Sequence, residues 1–257
     1  ALPEQAVRDI IASSFRSAGQ RCSALRCLYV QEDVAPQIIR MIKGAMDLLK
    51  MGDPWDLSTD VGPVIDQDAR DQIDTYLETH RDRVLHRLDI PQDGHFVAPT
   101  LLRVNGIEEM DREIFGPVLH VATYKARDLD KVVQTINDRG YGLTFGLHTR
   151  IDSRVEQVTA KIHVGNIYVN RNQVGATVGS QPFGGEGLSG TGPKAGGPLY
   201  LPRFFAPAGR GQIASIPVPV TDQLMPGPTG ELNRLSILPR GPVLCLGPDE
   251  QDVRNQM

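Results

Sequence analysis

Residues Ser17–Arg26 have the sequence SAGQRCSALR, and the organisation of the whole chain can be worked out from this stretch. A helical pattern ends at Gly19 and a short apolar strand pattern begins at Leu25, which places Cys22 in the turn between them. A thiol on such a turn can face a cleft, and its own backbone N–H can face a substrate oxygen. The stretch alone is equally compatible with Cys22 as a small buried hydrophobic residue.

The composition restricts the classes of function that are open to the chain. Its 257 residues suffice for one large domain or two smaller ones, and 40% hydrophobic residues are ordinary for a soluble globular protein. The net charge of −4 does not favour nucleic acid as a partner, and no apolar run is long enough to span a membrane. Three cysteines and no visible signal peptide predict a cytoplasmic protein without a disulfide framework or a metal site.

Helix and strand patterns alternate from the amino end to about Asn170, which predicts an α/β fold with a largely parallel sheet flanked by helices. Asp33 and Asp66 stand where they would cap the second and third helices. The predicted helices cover about Pro3–Ala18, Val34–Leu49, Asp66–Thr79, Leu129–Asn137 and Ser153–Lys161. The predicted strands cover Leu25–Gln31, Val84–Leu88, Phe96–Val104, Val118–Tyr124, Thr144–Thr149 and Asn166–Val169.

Glycine and proline dominate from Gln173 to Gly230, where no ordered helix or central strand is expected apart from a short extended piece around Leu199–Phe205. Gly185–Gly190 fits the G-x-G-x-x-G pattern of a dinucleotide-binding turn. No strand pattern precedes this run and no helix pattern follows it, so we do not predict a phosphate-binding site there. A flexible surface loop and a glycine-rich loop lining a cleft both fit the composition.

Seven motifs resemble, in the same order, those of the catalytic half of the aldehyde dehydrogenase family. They are GQRCSA around Cys22, STDVGPVI at Ser58–Ile65, FVAPTLL at Phe96–Leu102, EIFGPVL at Glu113–Leu119, YGLTFGLHT at Tyr141–Thr149, GNIYVN at Gly165–Asn170 and PFGGEGLSGTG at Pro182–Gly192. The resemblance covers about Leu2–Phe205. Within the family, GQRCSALR and QPFGGEGLSGTGPKAGGPLYLPRF are most similar to the L-glutamate γ-semialdehyde (1-pyrroline-5-carboxylate) dehydrogenase module of bifunctional proline utilisation A proteins.

The resemblance implies an oxidation of an aldehyde that uses NAD as cofactor. Cys22 is implied to be the nucleophile that forms a thiohemiacetal and then a thioester. Glu113 matches the carboxylate that binds the nicotinamide ribose, and Phe115 matches the ring that packs beside the nicotinamide. Without the surrounding motif, a solvated loop acid and a core aromatic would be the simpler interpretations of these two residues.

The resemblance also implies a substrate that carries a distal carboxylate. Ser23 matches the hydroxyl that binds this carboxylate, and Gly175 and Ala176 match the loop whose backbone N–H groups complete the anchor. Phe183 matches an aromatic wall over the aliphatic part of the substrate. Small loop residues suit this role because they let main-chain N–H groups approach closely.

Residues 1–205 are thus predicted to form a catalytic domain that starts just before the nucleophile. Residues 206–257 are predicted to be a linker and the start of a C-terminal, non-catalytic aldehyde-dehydrogenase-like domain, with Cys245 in its core. The family's cofactor domain, general-base glutamate and oxyanion-hole asparagine have no counterpart before Cys22. We therefore expect a fragment that is inactive alone, from a homo-oligomeric parent with FAD only in an upstream proline dehydrogenase domain.

Two other interpretations stay open at the level of the sequence. An inactive aldehyde-dehydrogenase-like domain could serve in structure or oligomerisation, although the joint presence of Cys22, Glu113 and Phe115 favours an enzyme. A cysteine hydrolase would need a histidine close to Cys22 in space, and none of the six histidines is close to it in sequence.

Overall fold

The computed structural model describes residues 1–204, 222–238, 249–251 and 254. The chain divides into two compact units: the first comprises Ala1–Gly175 with Gly184–Thr191, and the second comprises Ala176–Phe183 with the chain from Gly192 onward. No helix in the described part is both long and apolar enough to cross a membrane. The predicted division at residue 205 stays a prediction.

The first unit alternates helices and strands in the predicted order. Its helices are α1 (Pro3–Phe15), α2 (Ala35–Met46), α3 (Gln67–Thr79), α4 (Leu129–Asn137) and α5 (Asp152–Thr159). Its strands are β1 (Cys27–Gln31), β2 (Val84–Arg87), β3 (Thr100–Arg103), β4 (Val118–Tyr124), β5 (Tyr141–Gly142), β6 (Thr144–Leu147), β7 (Asn166–Val169) and β8 (Glu186–Gly187). This order confirms the predicted α/β class.

The central sheet of the first unit has four strands in the order β1-β4-β3-β2. Strands β1, β4 and β3 run parallel, and β2 pairs antiparallel with β3 at one edge. Strands β6 and β7 form a separate parallel pair, and β5 and β8 form a short antiparallel pair. The first residues of β4 are all buried, as expected of an inner strand that is covered on both faces.

Two apolar clusters hold the first unit together. The larger one joins the central sheet to α1, α2 and α3, and its fully buried members include Phe15, Ile42, Met46, Leu101 and Leu119. The smaller one is formed by Val133, Val158 and Ile162, with side chains of β6 and β7 packed against it. Burial of such side chains is the main favourable contribution to folding.

Several predicted boundaries differ from the structure. The capping prediction is correct for Asp66, whose carboxylate accepts a hydrogen bond from the Ala69 N–H at 2.8 Å. It is wrong for Asp33, whose carboxylate instead accepts from the side chain of Gln31 at 2.7 Å. The extended piece expected at Leu199–Phe205 is wrong, because Leu201–Phe204 form a 3₁₀ turn.

Among its described residues, the second unit contains an antiparallel hairpin, formed by β9 (Asp222–Met225) and β10 (Asn233–Ser236). In the same unit Phe183 pairs with Ala195 through two backbone hydrogen bonds. Pro239–Leu246, with Cys245, was predicted to begin a further domain and lies outside the described residues.

A buried histidine, His120, lies on the inner strand β4 and contacts Arg26, the residue between the Cys22 turn and strand β1. The backbone N–H and the Nδ1–H of His120 on β4 both donate to the carbonyl oxygen of Arg26, each at 2.9 Å. Because a carbonyl can only accept, Nε2 is left as the acceptor for the Tyr76 hydroxyl at 2.8 Å. Burial lowers the pKa of His120 to about 4, so the imidazole stays neutral in the folded protein at neutral pH.

Acid should therefore destabilise the fold through His120. The unfolded chain takes up a proton near pH 6.5 and the folded chain only near pH 4, so this contribution is zero above pH 6.5 and grows as the pH falls toward 4. It should lower the free energy of unfolding by about 3 kcal/mol over that range. Urea unfolding between pH 7 and pH 4 measures it.

The variant His120→Gln keeps a donor and an acceptor but cannot titrate, and it should flatten this part of the pH profile. His163→Gln, at an exposed position, is the matched control and should retain the wild-type slope. If the free energy of unfolding of His120→Gln fell with pH as steeply as that of the wild type, His120 would not be the group responsible.

Candidate active site

The chain reverses direction before Cys22 through left-handed backbone. Helix α1 ends at Phe15, earlier than the predicted end at Ala18, because Ser17, Ala18 and Gly19 all have φ between 52° and 66°. Such angles are uncommon for residues other than glycine and are held only where the surroundings fix them. Ala18 is 1% exposed, so core packing holds this turn in place.

Cys22 follows on an exposed turn, as predicted. Within the described residues nothing accepts a hydrogen bond from its backbone N–H, which leaves this donor free for a bound oxygen. The thiol lines a cavity of about 1210 Å³ in the first unit, together with Arg26 and Glu113. Cys27 on β1 is different, because burial raises the pKa of its thiol to about 12.

Glu113 and Phe115 lie on the loop that leads into β4, and the side chain of Arg26 holds both. The Arg26 Nε–H donates to the Glu113 carboxylate at 3.0 Å, and the guanidinium carbon lies 4.8 Å from the centre of the Phe115 ring. The Glu113 side chain is 54% exposed and Phe115 is 46% exposed, so both can still reach a ligand. The structure thus brings both residues to the base of the Cys22 turn.

Ser23 is buried beneath the turn and is held through its backbone. Its carbonyl oxygen accepts from Gln173 Nε2 at 3.2 Å and from Thr144 Oγ1 at 3.4 Å. Gln173 is itself fixed, because its backbone N–H donates to Ser13 Oγ at 3.1 Å. These bonds join α1, β6 and the segment after β7 around the residue that follows the candidate nucleophile.

The predicted carboxylate-binding loop begins at Gly175, two positions after Gln173. Gly175 has a φ of +76° and open space where a side chain would be, and no described residue accepts from its backbone N–H. Ala176 and Phe183 belong to the second unit.

Gln20 connects the Cys22 turn to the STDVGPVI segment at Ser58–Ile65. Its Oε1 accepts from the Ile65 N–H at 2.8 Å, and its Nε2 donates to the Pro63 carbonyl at 3.3 Å. A side-chain amide that both donates and accepts mimics a stretch of β-ladder between the two segments. The two motifs are therefore neighbours in space although they are distant in sequence.

The glycine-rich run at Gly185–Gly190 does not form a phosphate-binding turn. Its first part lies in strand β8, which pairs with β5, and no helix begins directly after Gly190. Its Leu188 N–H donates to Gly140, and its Ser189 hydroxyl accepts from the Gly142 N–H. A phosphate cradle needs free N–H groups at a helix start, which this run does not offer; that it is no cofactor site stays a prediction.

The sequence analysis assigned no role to Arg26, Gln20 and Gln173, although all three support the Cys22 turn. Each has at least one hydrogen-bond partner far away along the chain: 43 positions for Gln20, 87 for Arg26 and 150 for Gln173. A local pattern cannot reveal such partners. The available signal was the presence of long polar side chains inside or beside otherwise apolar and small-residue motifs.

The chain is similar to a known protein family and to several solved structures. The model for the aldehyde dehydrogenase family matches residues 2–206. The bifunctional protein PutA of Salmonella typhimurium is 45% identical over all of this chain and 24% of its own length. A crystal structure of a Bradyrhizobium japonicum proline utilization A (PutA) mutant is 52% identical with a TM-score of 0.78, over 79% of this chain and 21% of that one.

A third match is a 1-pyrroline-5-carboxylate dehydrogenase from Thermus with bound NAD, which is 32% identical with a TM-score of 0.71. It is matched over 77% of this chain and 39% of its own length. The chain therefore spans about a quarter of the length of the curated PutA proteins that it matches.

Proposed function

The chain belongs to the aldehyde dehydrogenase family, and we propose that it is the catalytic portion of an NAD-dependent enzyme that oxidises L-glutamate γ-semialdehyde to L-glutamate in proline catabolism. The observation that carries the proposal is the exposed Cys22 thiol, with a free backbone N–H, beside the exposed Glu113 and Phe115. The names of the matched relatives support the substrate class.

In the proposed reaction the Cys22 thiolate attacks the aldehyde carbon, a C–S bond forms, and the carbonyl oxygen becomes an alkoxide. The free Cys22 N–H is placed to donate to this alkoxide. Bound NAD would supply the hydride acceptor that this oxidation to a thioester requires. Attack of water on the acyl carbon then breaks the C–S bond, releases the carboxylic acid and restores the thiolate.

The described residues fit the nicotinamide end of NAD. Glu113 has one carboxylate oxygen fixed by Arg26, while the other has no partner among the described residues and can accept ribose hydroxyl groups. Phe115 offers an exposed ring face for packing against a flat heterocycle. For the rest of the cofactor, and for the base that activates water, we propose other parts of a longer protein, of which this chain is a fragment.

For the distal carboxylate of the substrate we propose Ser23 and Gly175. The open space at Gly175 and its free N–H support this role, because a carboxylate is bound well by main-chain donors. Gln173 links the base of this loop to the Ser23 backbone, so that the anchor and the nucleophile share one support. The roles that the family resemblance implies for Ala176, as a further backbone donor, and for Phe183, over the aliphatic chain, stay predictions, because both residues belong to the second unit.

Two other functions are less well supported. A cysteine hydrolase would need a base on Cys22, and none of the six histidines, all of them described, hydrogen-bonds to it. A purely structural domain would not require an exposed thiol beside an exposed, arginine-fixed carboxylate.

The first prediction concerns the nucleophile. In the complete protein, Cys22→Ser should lower NAD-dependent aldehyde oxidation by at least about a thousandfold, because a serine hydroxyl is a far weaker nucleophile than a thiolate. Cys27→Ala is the matched control, since the pKa of that thiol is about 12 and no role is assigned to it. Turnover of Cys22→Ser near the wild-type value would remove Cys22 from the mechanism.

The second prediction concerns substrate choice. Ser23→Ala should reduce kcat/KM for glutamate semialdehyde by about tenfold to a hundredfold, because a hydrogen bond to a charged group is lost. An uncharged aldehyde of similar length should be affected much less. Thr144→Val, which removes the hydroxyl that donates to the Ser23 carbonyl and accepts from Gln173, should affect both aldehydes equally. Equal losses for both aldehydes in Ser23→Ala would refute the carboxylate-binding role.

The third prediction is that the 257-residue chain alone is catalytically silent and binds NAD more weakly than about millimolar, because two contacts cannot offset the freedom lost on association. Calorimetric titration of the purified chain with NAD measures this affinity. A micromolar Kd would mean that the main cofactor site lies within this chain.

A further inference from the structure

The guanidinium of Arg26 closes the Cys22 turn onto itself. Its Nη1 donates to the Gly19 carbonyl at 2.6 Å, and its Nη2 donates to the Arg21 carbonyl at 3.1 Å. Both acceptors lie before Cys22 in the chain, and Arg26 lies after it. The thiol therefore sits on a loop whose two ends are joined by one side chain.

The same guanidinium reaches the loop that carries Glu113 and Phe115. Its Nη1 also donates to the Gly116 carbonyl at 3.2 Å, its Nε donates to the Glu113 carboxylate, and its central carbon lies over the Phe115 ring. The guanidinium thus donates four hydrogen bonds, and the Arg26 side chain is only 12% exposed. Burial lowers the pKa of Arg26, while the charges of Glu113 and of a Cys22 thiolate oppose this effect.

The backbone of Arg26 is fixed from the opposite side. Its carbonyl oxygen accepts the two hydrogen bonds from His120, which the Tyr76 hydroxyl holds in turn. The Arg26 side chain is therefore attached to a backbone that is fixed at the edge of the central sheet. The planar fork of arginine is itself pre-organised, so less side-chain entropy is lost for each hydrogen bond that it forms.

We propose that Arg26 is a positioning residue that sets the distance between the Cys22 thiol and the cofactor-binding Glu113–Phe115 loop. This inference rests on the proposed function, because it assigns Arg26 a purpose in that reaction. Lysine cannot make these contacts, because it offers one compact ammonium, whereas the planar guanidinium reaches three carbonyls and a carboxylate while its central carbon lies over a ring.

The consequence for catalysis follows from the geometry that hydride removal requires. The carbon bonded to Cys22 and the ring held by Glu113 and Phe115 must lie at a defined separation, and a displacement of about 1 Å costs about 100-fold in rate. Arg26→Ala and Arg26→Lys should accordingly lower kcat by about 100-fold and raise the KM for NAD by about tenfold. The KM for the aldehyde, which is bound by other residues, should change by less than about threefold.

The test uses the complete protein in two measurements. Steady-state kinetics give kcat and both KM values for Arg26→Ala and Arg26→Lys, with and without millimolar guanidinium chloride. Amide hydrogen exchange without NAD follows residues 19–24 and 113–116, with helix α5 as internal reference. Arg83→Ala is the matched control, since Arg83 forms an ion pair with Glu109 at 2.8 Å outside this site.

In both Arg26 variants we expect faster amide exchange in residues 19–24 and 113–116 but not in α5. We expect the lower kcat and the higher KM for NAD given above. Added guanidinium should partly restore the rate and the exchange protection of Arg26→Ala. Arg83→Ala should show none of these changes. Wild-type exchange or kinetics in Arg26→Lys would overturn the proposal, even if Arg26→Ala fails to fold. If Cys22→Ser is also fully active, the proposed function itself fails; if only the Arg26 variants are unaffected, the function stands and the positioning role falls.

Discussion

The site depends on one close approach between two backbones, that of Gly19 with Gly116. A side-chain carbon at position 19 would overlap the Gly116 carbonyl oxygen, and the φ of +66° there is itself easily reached only by glycine. The guanidinium of Arg26 donates to the carbonyl groups of both glycines. The close approach and the guanidinium depend on each other, because Arg26 can reach the carbonyls of Gly19 and Gly116 together only where the two backbones are in contact.

The sheet topology explains why these two loops can meet. Strands β1 and β4 are parallel neighbours, with Cys27 paired to His120, so the segments that enter them emerge at the same edge of the sheet. The Cys22 turn precedes β1 and the Glu113–Phe115 loop precedes β4. The pairing of β1 with β4 therefore brings Arg26 to Glu113, 87 positions away in sequence. A change in the register of the two strands would separate the Cys22 thiol from the Glu113 carboxylate.

The sequence predicts the order of elements well because each signal is local: periodicity for the helices, apolar runs for the strands and the side chain of Asp66 for a cap. It fails where distant groups compete. Asp33 bonds to Gln31 instead of capping α2, and α1 ends early because the Ser17–Gly19 backbone is fixed by tertiary packing. The site residues became recognisable only as motifs, since the bonds of Arg26 and Gln173 join segments that no local pattern connects.

The two cysteines near the start of β1 illustrate why reactivity belongs to the fold and not to the residue type. Cys27 lies within β1, where burial removes water from the thiolate and raises the pKa to about 12. Cys22 lies on the exposed turn just before the strand, with a free backbone donor at the same residue. Left-handed backbone at Ser17–Gly19 directs the chain out of the core before Cys22, and Arg26 returns it to the sheet after Cys22. The left-handed turn thus separates an exposed thiol from a buried one that lies only five positions further along the chain.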